Sequence, residues 1–159
     1  MAKKMRIGWF SFSCCEDSSI LFTELLNDHF FEWAEKIEFA HCRILKSKND
    51  LSNLDVAFVE GAIASEDDER KLKEIRQNSK YLVAIGSCAV TGMPSAQRNF
   101  FDEKTMAEIR PIMQKFGHRD KVASLKELVQ VDDDVPGCPM DEAVFLQVLD
   151  KYLKQFGVS

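Results

Sequence analysis

The sequence is poor in glycine, proline and histidine, and it lacks long apolar runs. Of its 159 residues, only 7 are glycine, 4 are proline and 3 are histidine, which excludes a collagen-like or a Pro/Gly-rich low-complexity chain. No apolar run approaches the roughly 20 residues that a membrane-spanning helix needs, so we expect no direct membrane insertion. The first ten residues contain neither a signal-peptide core nor a twin-arginine signal. We therefore expect a cytoplasmic chain, or a chain on the cytoplasmic side of a membrane complex.

An excess of basic residues is also lacking. The chain has 21 Lys and Arg against 26 Asp and Glu, a net charge of −5, so its composition does not resemble that of a nucleic-acid-binding protein, and we expect no nucleic-acid partner. With 45% apolar and 30% charged residues, it can bury a core, which excludes a disordered tail and a small disulfide-stapled scaffold. We expect residues 1–159 to form a single domain.

Apolar runs alternate with segments of helical periodicity. Short buried strands are predicted at residues 6–10, 55–59 and 81–85, with an extended stretch at 37–45. Helices are predicted at 18–31, from the N-cap Ser65 to about residue 78, at 101–116 with a kink or restart at Pro111, and at 140–156; residues 121–131 are ambiguous. This alternation predicts an α/β fold, a three-layer flavodoxin-like sandwich with a mainly parallel sheet.

Five cysteines are present, and an odd number argues against a disulfide framework. Cys14 and Cys15 follow the first predicted strand, Cys88 follows the strand that ends at residue 85, and Cys138 lies in a loop before the last helix. Because the carboxyl ends of parallel strands share one edge of a sheet, these four thiols are expected to meet there. Cys42 lies within an apolar extended stretch and is expected to be a small buried hydrophobe.

Four thiolates at one place suit a [4Fe–4S] cluster or a structural zinc ion. Zinc sites usually use two close Cys pairs, whereas these cysteines form one adjacent pair and two singles, separated by 88 − 15 = 73 and 138 − 88 = 50 residues. Side chains of adjacent residues diverge, which favours a large cluster over a single ion. Gly86 and Gly137 precede Cys88 and Cys138 closely, and their freed backbone amides can donate to cluster sulfurs.

Four short motifs follow one another along the chain, and they read Ser13-Cys14-Cys15-Glu16, Glu60-Gly61-Ala62-Ile63, Ile85-Gly86-Ser87-Cys88-Ala89 and Pro136-Gly137-Cys138-Pro139. Together they resemble the [4Fe–4S] module shared by the small subunits of [NiFe]-hydrogenases and the 20 kDa subunit of respiratory complex I. The resemblance extends from residue 5 to about residue 140. It implies that Cys14, Cys15, Cys88 and Cys138 hold one [4Fe–4S] cluster. It also implies that Glu16 and Glu60 lie near that cluster and a large-subunit interface.

The motifs combine features of both branches of this family. Hydrogenase small subunits usually have Cys-x-x-Cys in the first motif, and the adjacent Cys14 and Cys15 match complex I instead. The second motif, which begins at Glu60, has the hydrogenase form. We favour the hydrogenase branch and keep a complex I-like, quinone-proximal subunit as the alternative.

The hydrogenase resemblance implies an oxidoreductase subunit that is not catalytic alone. Such a subunit relays electrons between the NiFe site of a large subunit and an acceptor. No cysteine follows Cys138, so we expect a single cluster, with electrons passing to a further electron-transfer subunit or a docked acceptor.

Two other classes of function compete with this interpretation. A flavin-binding module would need a phosphate loop after the first strand, but the hydroxyls of Ser11 and Ser13 are followed there by two cysteines and by Glu16 and Asp17, which serve a phosphate poorly. A structural interaction subunit with zinc or an apolar thiol cluster is the second competitor. Metal analysis separates these possibilities.

The remaining polar and aromatic features carry weaker signals. His29, His41 and His118 are scattered and are not expected to be ligands. The acidic run at residues 132–134 is expected to be a solvated face. The pair at residues 100–101, both Phe, is a candidate partner interface.

Overall fold

The structure is a computed structural model that describes residues 3–158, so Met1, Ala2 and Ser159 lie outside the described residues. Its strands are β1 (Met5–Ser11), β2 (Ile37–Cys42), β3 (Leu54–Glu60), β4 (Ile63–Ser65), β5 (Ser79–Ile85), β6 (His118–Ala123) and β7 (Asp133–Val135). Its α-helices are α1 (Asp17–Lys36), α2 (Glu66–Gln77), α3 (Gly86–Thr91), α4 (Glu103–Lys115) and α5 (Glu142–Gln155). Short 3₁₀ helices cover Ser95–Phe100 and Leu125–Glu127.

Five strands form one parallel sheet in the order β2-β1-β3-β5-β7, and β4 pairs with β6 in a small antiparallel sheet. Strand β2 lies on one side of β1, whereas β3, β5 and β7 follow one another on the other side of β1. The strand order therefore reverses between β1 and β3, which is where open α/β sheets bind ligands. The predicted α/β class, a flavodoxin-like three-layer sandwich with a parallel sheet, is confirmed.

Helices α1 and α5 cover one face of the sheet through an aromatic core. The ring of Trp9 stacks on Phe22 at 4.2 Å between centroids and meets the edge of Phe145 at 5.9 Å. The Trp9 indole N–H donates to Ser19 Oγ at 2.8 Å, so its polar atom is satisfied inside this core. The other face packs against α2 and α3 through smaller residues, among them Leu72, Ile75 and Ala89.

Helix α1 is longer than predicted and buries a different stripe. It continues to Lys36, and the residues at its core face are Phe22, Leu25, Leu26 and Trp33. Ile20 is 59% exposed and Phe31 is 86% exposed, although both are apolar. Apolar residues lie all round this helix, so periodicity alone did not identify the stripe that faces the sheet.

The other helices follow the sequence signals closely. Ser65 caps α2 as predicted, because its hydroxyl accepts from the Asp68 N–H at 3.1 Å. Helix α4 runs through Pro111 without a restart. Proline has no backbone N–H, so Pro111 leaves the carbonyl of Ala107 without its helical hydrogen bond. Ala107 and Pro111 are both exposed, so water can donate to that carbonyl instead.

The acidic run at residues 132–134 is only partly a solvated face, which corrects the expectation from the sequence: Asp134 is exposed, whereas Asp132 and Asp133 are half-buried. Asp133 and Asp134 belong to β7, an edge strand paired with β5. The Asp132 carboxylate accepts from the backbone N–H of Leu82 at 2.8 Å and from Arg76 at 3.1 Å. These contacts attach the last strand to the sheet.

Candidate metal centre

All four predicted ligand cysteines line one cleft at the carboxyl edge of the parallel sheet, here called the cysteine cleft, and they are Cys14, Cys15, Cys88 and Cys138. Within residues 3–158 no cysteine is disulfide-bonded. Cys42 lies apart from them, fully buried in the core at the end of β2. Three separate segments thus bring four thiols to one place, and the fifth packs as a hydrophobe.

The first segment joins β1 to α1 and carries Cys14 and Cys15. It is attached to the loop after β3 by paired backbone bonds, Ser13 N–H to Ala62 O at 3.1 Å and Ala62 N–H to Ser13 O at 3.0 Å. Gly61 permits this approach, because its φ is +94° and a Cβ there would lie 2.8 Å from the Phe12 carbonyl carbon. The motif that begins at Glu60 therefore positions the first cysteine pair.

The second segment carries Cys88, which lies in the first turn of α3, directly after β5. Cys88 is only 6% exposed. Ser95 Oγ lies 3.3 Å from Cys88 Sγ and 2.8 Å from the Ser13 carbonyl oxygen. This hydroxyl links the second cysteine segment to the first.

The third segment carries Cys138 and is joined to the others through Ser18 and Ser87. The Ser87 N–H donates to Gly137 O at 2.7 Å, and the Met140 N–H donates to Ser18 Oγ at 3.1 Å. Gly137 has a φ of +112°, a conformation that favours glycine. The segments that hold Cys14, Cys88 and Cys138 therefore form one hydrogen-bonded unit.

Asp17 is a site residue that the sequence did not reveal. Its carboxylate accepts from the Cys138 thiol at 3.2 Å, and ligand atoms of Cys15, Asp17 and Cys138 all lie within 4.8 Å of one another. This hydrogen bond and the nearby negative charge raise the pKa of Cys138 to about 11. The only sequence signal was position, since Asp17 follows the cysteine pair in the first turn of α1.

The two glutamates expected near the cysteines differ in their positions. Glu60 lines the cysteine cleft, is 2% exposed, and accepts from the Ser18 N–H at 3.0 Å and the Ser19 hydroxyl at 2.6 Å. Burial raises the pKa of Glu60 above its ordinary value, and burial also raises the pKa of Cys14 to about 11. Glu16 is exposed, accepts from Ser11 Oγ at 3.0 Å and lines a neighbouring cleft instead.

Exposed apolar side chains follow the Cys88 segment. Met93 is 38% exposed, Phe100 is 77% exposed and Phe101 is 44% exposed. Ser95, which contacts Cys88, lies between Met93 and Phe100 in the chain. We call these three residues the apolar patch. The expected role of Phe100 and Phe101 as a partner interface stays a prediction. Among the described residues, no histidine lines the cysteine cleft.

The comparison with known families agrees with this arrangement. The family described as NADH ubiquinone oxidoreductase, 20 kDa subunit, matches residues 14–152, which include all four cleft cysteines. The chain belongs to this family. Residues 3–158 contain no helix that combines the length and the apolar character needed to cross a membrane.

Similar proteins include subunits of hydrogenases. The chain is 25% identical over 170 residues to a subunit of an F420-non-reducing hydrogenase from Methanothermobacter marburgensis, covering 97% of this chain and 55% of that protein. It is 30% identical over 148 residues to the delta subunit of sulfhydrogenase 2 from Pyrococcus furiosus, covering 91% and 60%. The chain thus spans somewhat over half the length of these two relatives.

A solved structure extends the similarity to the fold. The chain superposes with a TM-score of 0.81 and 25% identity on a chain from the crystal structure of an NAD⁺-reducing [NiFe]-hydrogenase in the H₂-reduced state. The match covers 96% of this chain and 93% of that one. Nearly the whole described fold is therefore shared with that chain.

Proposed function

We propose that this chain is the electron-transfer subunit of a [NiFe]-hydrogenase, and that it holds one [4Fe–4S] cluster through Cys14, Cys15, Cys88 and Cys138. The observation that carries the proposal is the convergence of these four thiols from three segments on one cleft. The relationship to hydrogenase subunits supports the same assignment.

The donor set of the cleft fits this group. Iron–sulfur clusters are bound by four cysteine thiolates and exchange one electron at a time. Cys14 and Cys15 are adjacent, so their side chains diverge and suit separate iron atoms better than one small ion. Because the pKa values of Cys14 and Cys138 are raised to about 11, binding of a metal by these thiols would release protons and would strengthen as the pH rises.

The four thiols of the cysteine cleft differ in burial, so the thiol group has a buried inner side and an exposed outer side. Cys88 and Glu60 are almost fully buried, and they keep water from the inner side of the thiol group. Cys15 and Cys138 are exposed and form the outer side. A partner that docks over the exposed cysteines would come close to a bound cluster, which short-range electron transfer requires.

We assign that partner as a hydrogenase large subunit that carries the NiFe site. The apolar patch of Met93, Phe100 and Phe101 is exposed and follows Cys88 in the chain, so it offers apolar surface for the partner to bury. Within these 159 residues the only other cysteine is the buried Cys42, so the proposal includes one cluster and transfer to a further electron-transfer subunit.

The test is H₂-dependent reduction of a viologen dye by the anaerobically purified complex. Replacing any one of the four cleft cysteines with serine should lower bound iron and dye reduction together. The matched control is Cys42→Ala, which should keep both because Cys42 is remote from the cleft. A complex that binds nickel and oxidises H₂ at the wild-type rate with a cleft cysteine replaced would contradict the assignment.

A complex I-like role is the second candidate, because the adjacent cysteine pair and the family description both favour it. In that case the chain would purify with a nickel-free partner and support quinone reduction. Nickel analysis of the co-purified subunit distinguishes the two roles, since both use the same cysteine cleft.

A further inference from the structure

A second, larger cleft lies beside the cysteine cleft and has no part in the proposed electron relay. It has a volume of about 530 Å³ and lies where β1 and β2 end, with helix α2 as one wall. We call it the β1–β2 cleft. None of the four cleft cysteines lines it. Its size falls within the roughly 300–1,000 Å³ of small-molecule sites, and its position on the carboxyl edge is one that ligands of α/β sheets occupy.

An aromatic pair forms one wall of this cleft. The rings of Phe10 and His41 stack at 4.3 Å between centroids, with 27° between their planes. Gly8 makes room for this pair, because a Cβ at Gly8 would lie 2.4 Å from the Phe10 ring. Phe10 is only 8% exposed and His41 is half-buried, so His41 is the more accessible ring of the pair for stacking with a flat ring of a ligand.

His41 also has an unused polar atom. Its Nδ1 is enclosed and has no hydrogen-bond partner within residues 3–158. Burial lowers the pKa of His41 below its ordinary value of 6.5, so the ring is neutral at pH 7. A neutral imidazole does not repel the Arg43 guanidinium that follows it two residues later in the chain.

The rim of the β1–β2 cleft carries charges of both signs. Arg43 is exposed, and no carboxylate of the described chain pairs with its guanidinium. Lys71, the other cation of the lining, pairs with Asp67. The carboxylates of Glu16, Asp68 and Glu74 lie on the same rim, and the Asp68 and Glu74 side chains accept no hydrogen bond from the described residues. Unpaired carboxylates accept from hydroxyl groups, and a free guanidinium binds a phosphate.

We propose that the β1–β2 cleft binds a nucleoside monophosphate, with its base stacked on the Phe10–His41 pair and its phosphate at Arg43. Each part of such a ligand has a counterpart in the cleft. The flat base meets the aromatic wall, the ribose hydroxyls meet the rim carboxylates, and the phosphate meets Arg43, the arginine that lines this cleft. This proposal is independent of the metal at the cysteine cleft.

Isothermal titration calorimetry on the anaerobically purified protein, with its co-purifying subunits, tests the proposal. AMP and adenosine are the probes, and UMP in place of AMP shows whether the base is a purine or a pyrimidine. We expect a nucleoside monophosphate to bind with a Kd below about 1 mM. The proposal is overturned when neither AMP nor UMP gives saturable heat.

Variants locate the ligand within the cleft. Arg43→Ala should weaken AMP binding about tenfold and leave adenosine binding unchanged, since adenosine lacks the phosphate. Ile44→Trp, at a half-exposed residue on the rim, should fill the cleft and abolish binding of both. The matched control is Lys48→Ala, which removes an exposed cation from the same loop outside the cleft. Equal losses of AMP affinity in Arg43→Ala and Lys48→Ala would mean non-specific attraction and would contradict the proposal.

Discussion

Gly86→Ala perturbs the junction of the three cysteine segments without touching a cysteine. Gly86 has a φ of +78°, and a Cβ there would lie 2.9 Å from Ser18 Oγ. Ser18 is 1% exposed and its hydroxyl accepts from the Met140 N–H, so it has no free space into which to move. The added methyl group therefore acts on the segment that carries Cys138.

Two costs add up in this variant. The left-handed conformation costs a residue with a Cβ about 1–2 kcal/mol. Losing the bond between Ser18 and Met140 costs about 1 kcal/mol more. We therefore expect the free energy of unfolding to fall by about 2–3 kcal/mol, together with a loss of bound iron.

Gly117→Ala is the matched control, because Gly117 also has a positive φ, +64°, but a Cβ there would meet nothing within 4 Å. The free energy of unfolding of Gly117→Ala should fall only by the cost of the left-handed conformation, and its iron content should equal that of the wild type. Urea unfolding and iron content, measured on both variants, test whether the contact with Ser18 adds to the conformational cost. The reasoning is refuted when Gly86→Ala loses no more stability than Gly117→Ala and binds iron like the wild type.

Three further predictions concern residues outside that junction. His41→Phe keeps the stacking on Phe10 and should flatten the pH dependence of stability. The folded-state pKa of His41 lies below 6.5, so the wild type loses stability as the pH falls from 6.5 towards that lower pKa. Urea midpoints at several pH values measure the difference. Cys42→Ala should lower the free energy of unfolding by about 1 kcal/mol and leave iron content unchanged, and a loss of iron would contradict a purely structural thiol. Phe100→Ser should reduce co-purification of the partner subunit without changing Tm, whereas Phe116→Ser, at a residue exposed to 63%, should affect neither.

Much of the fold could be predicted because its signals are local. Strands β3 and β5 each contain an unbroken apolar run, at residues 56–59 and 81–85, as a doubly covered sheet requires. Ser65 is a typical helix N-cap. The meeting of the cysteines followed from topology, since parallel strands end at the same edge.

Other features depend on contacts between distant residues and were missed for that reason. Asp17 contacts Cys138, which is 121 residues away, so no local pattern identifies it as a site residue. The sequence of the acidic run at residues 132–134 predicts solvated surface, because it does not reveal that the Asp132 carboxylate accepts from the N–H of Leu82, 50 residues away. The buried stripe of α1 likewise depends on which side faces Trp9 and the sheet, because Phe31 is as apolar as the residues that are buried.

The most direct test of the account is the iron, labile sulfide and zinc content of the anaerobically purified chain, with an EPR spectrum after reduction. The account predicts about four iron and four sulfide per chain and the signal of a reduced cluster. Replacing Cys88, the most deeply buried of the four cleft cysteines, should remove that signal. Zinc in place of iron, or a chain without metal after careful anaerobic handling, would contradict the central claim.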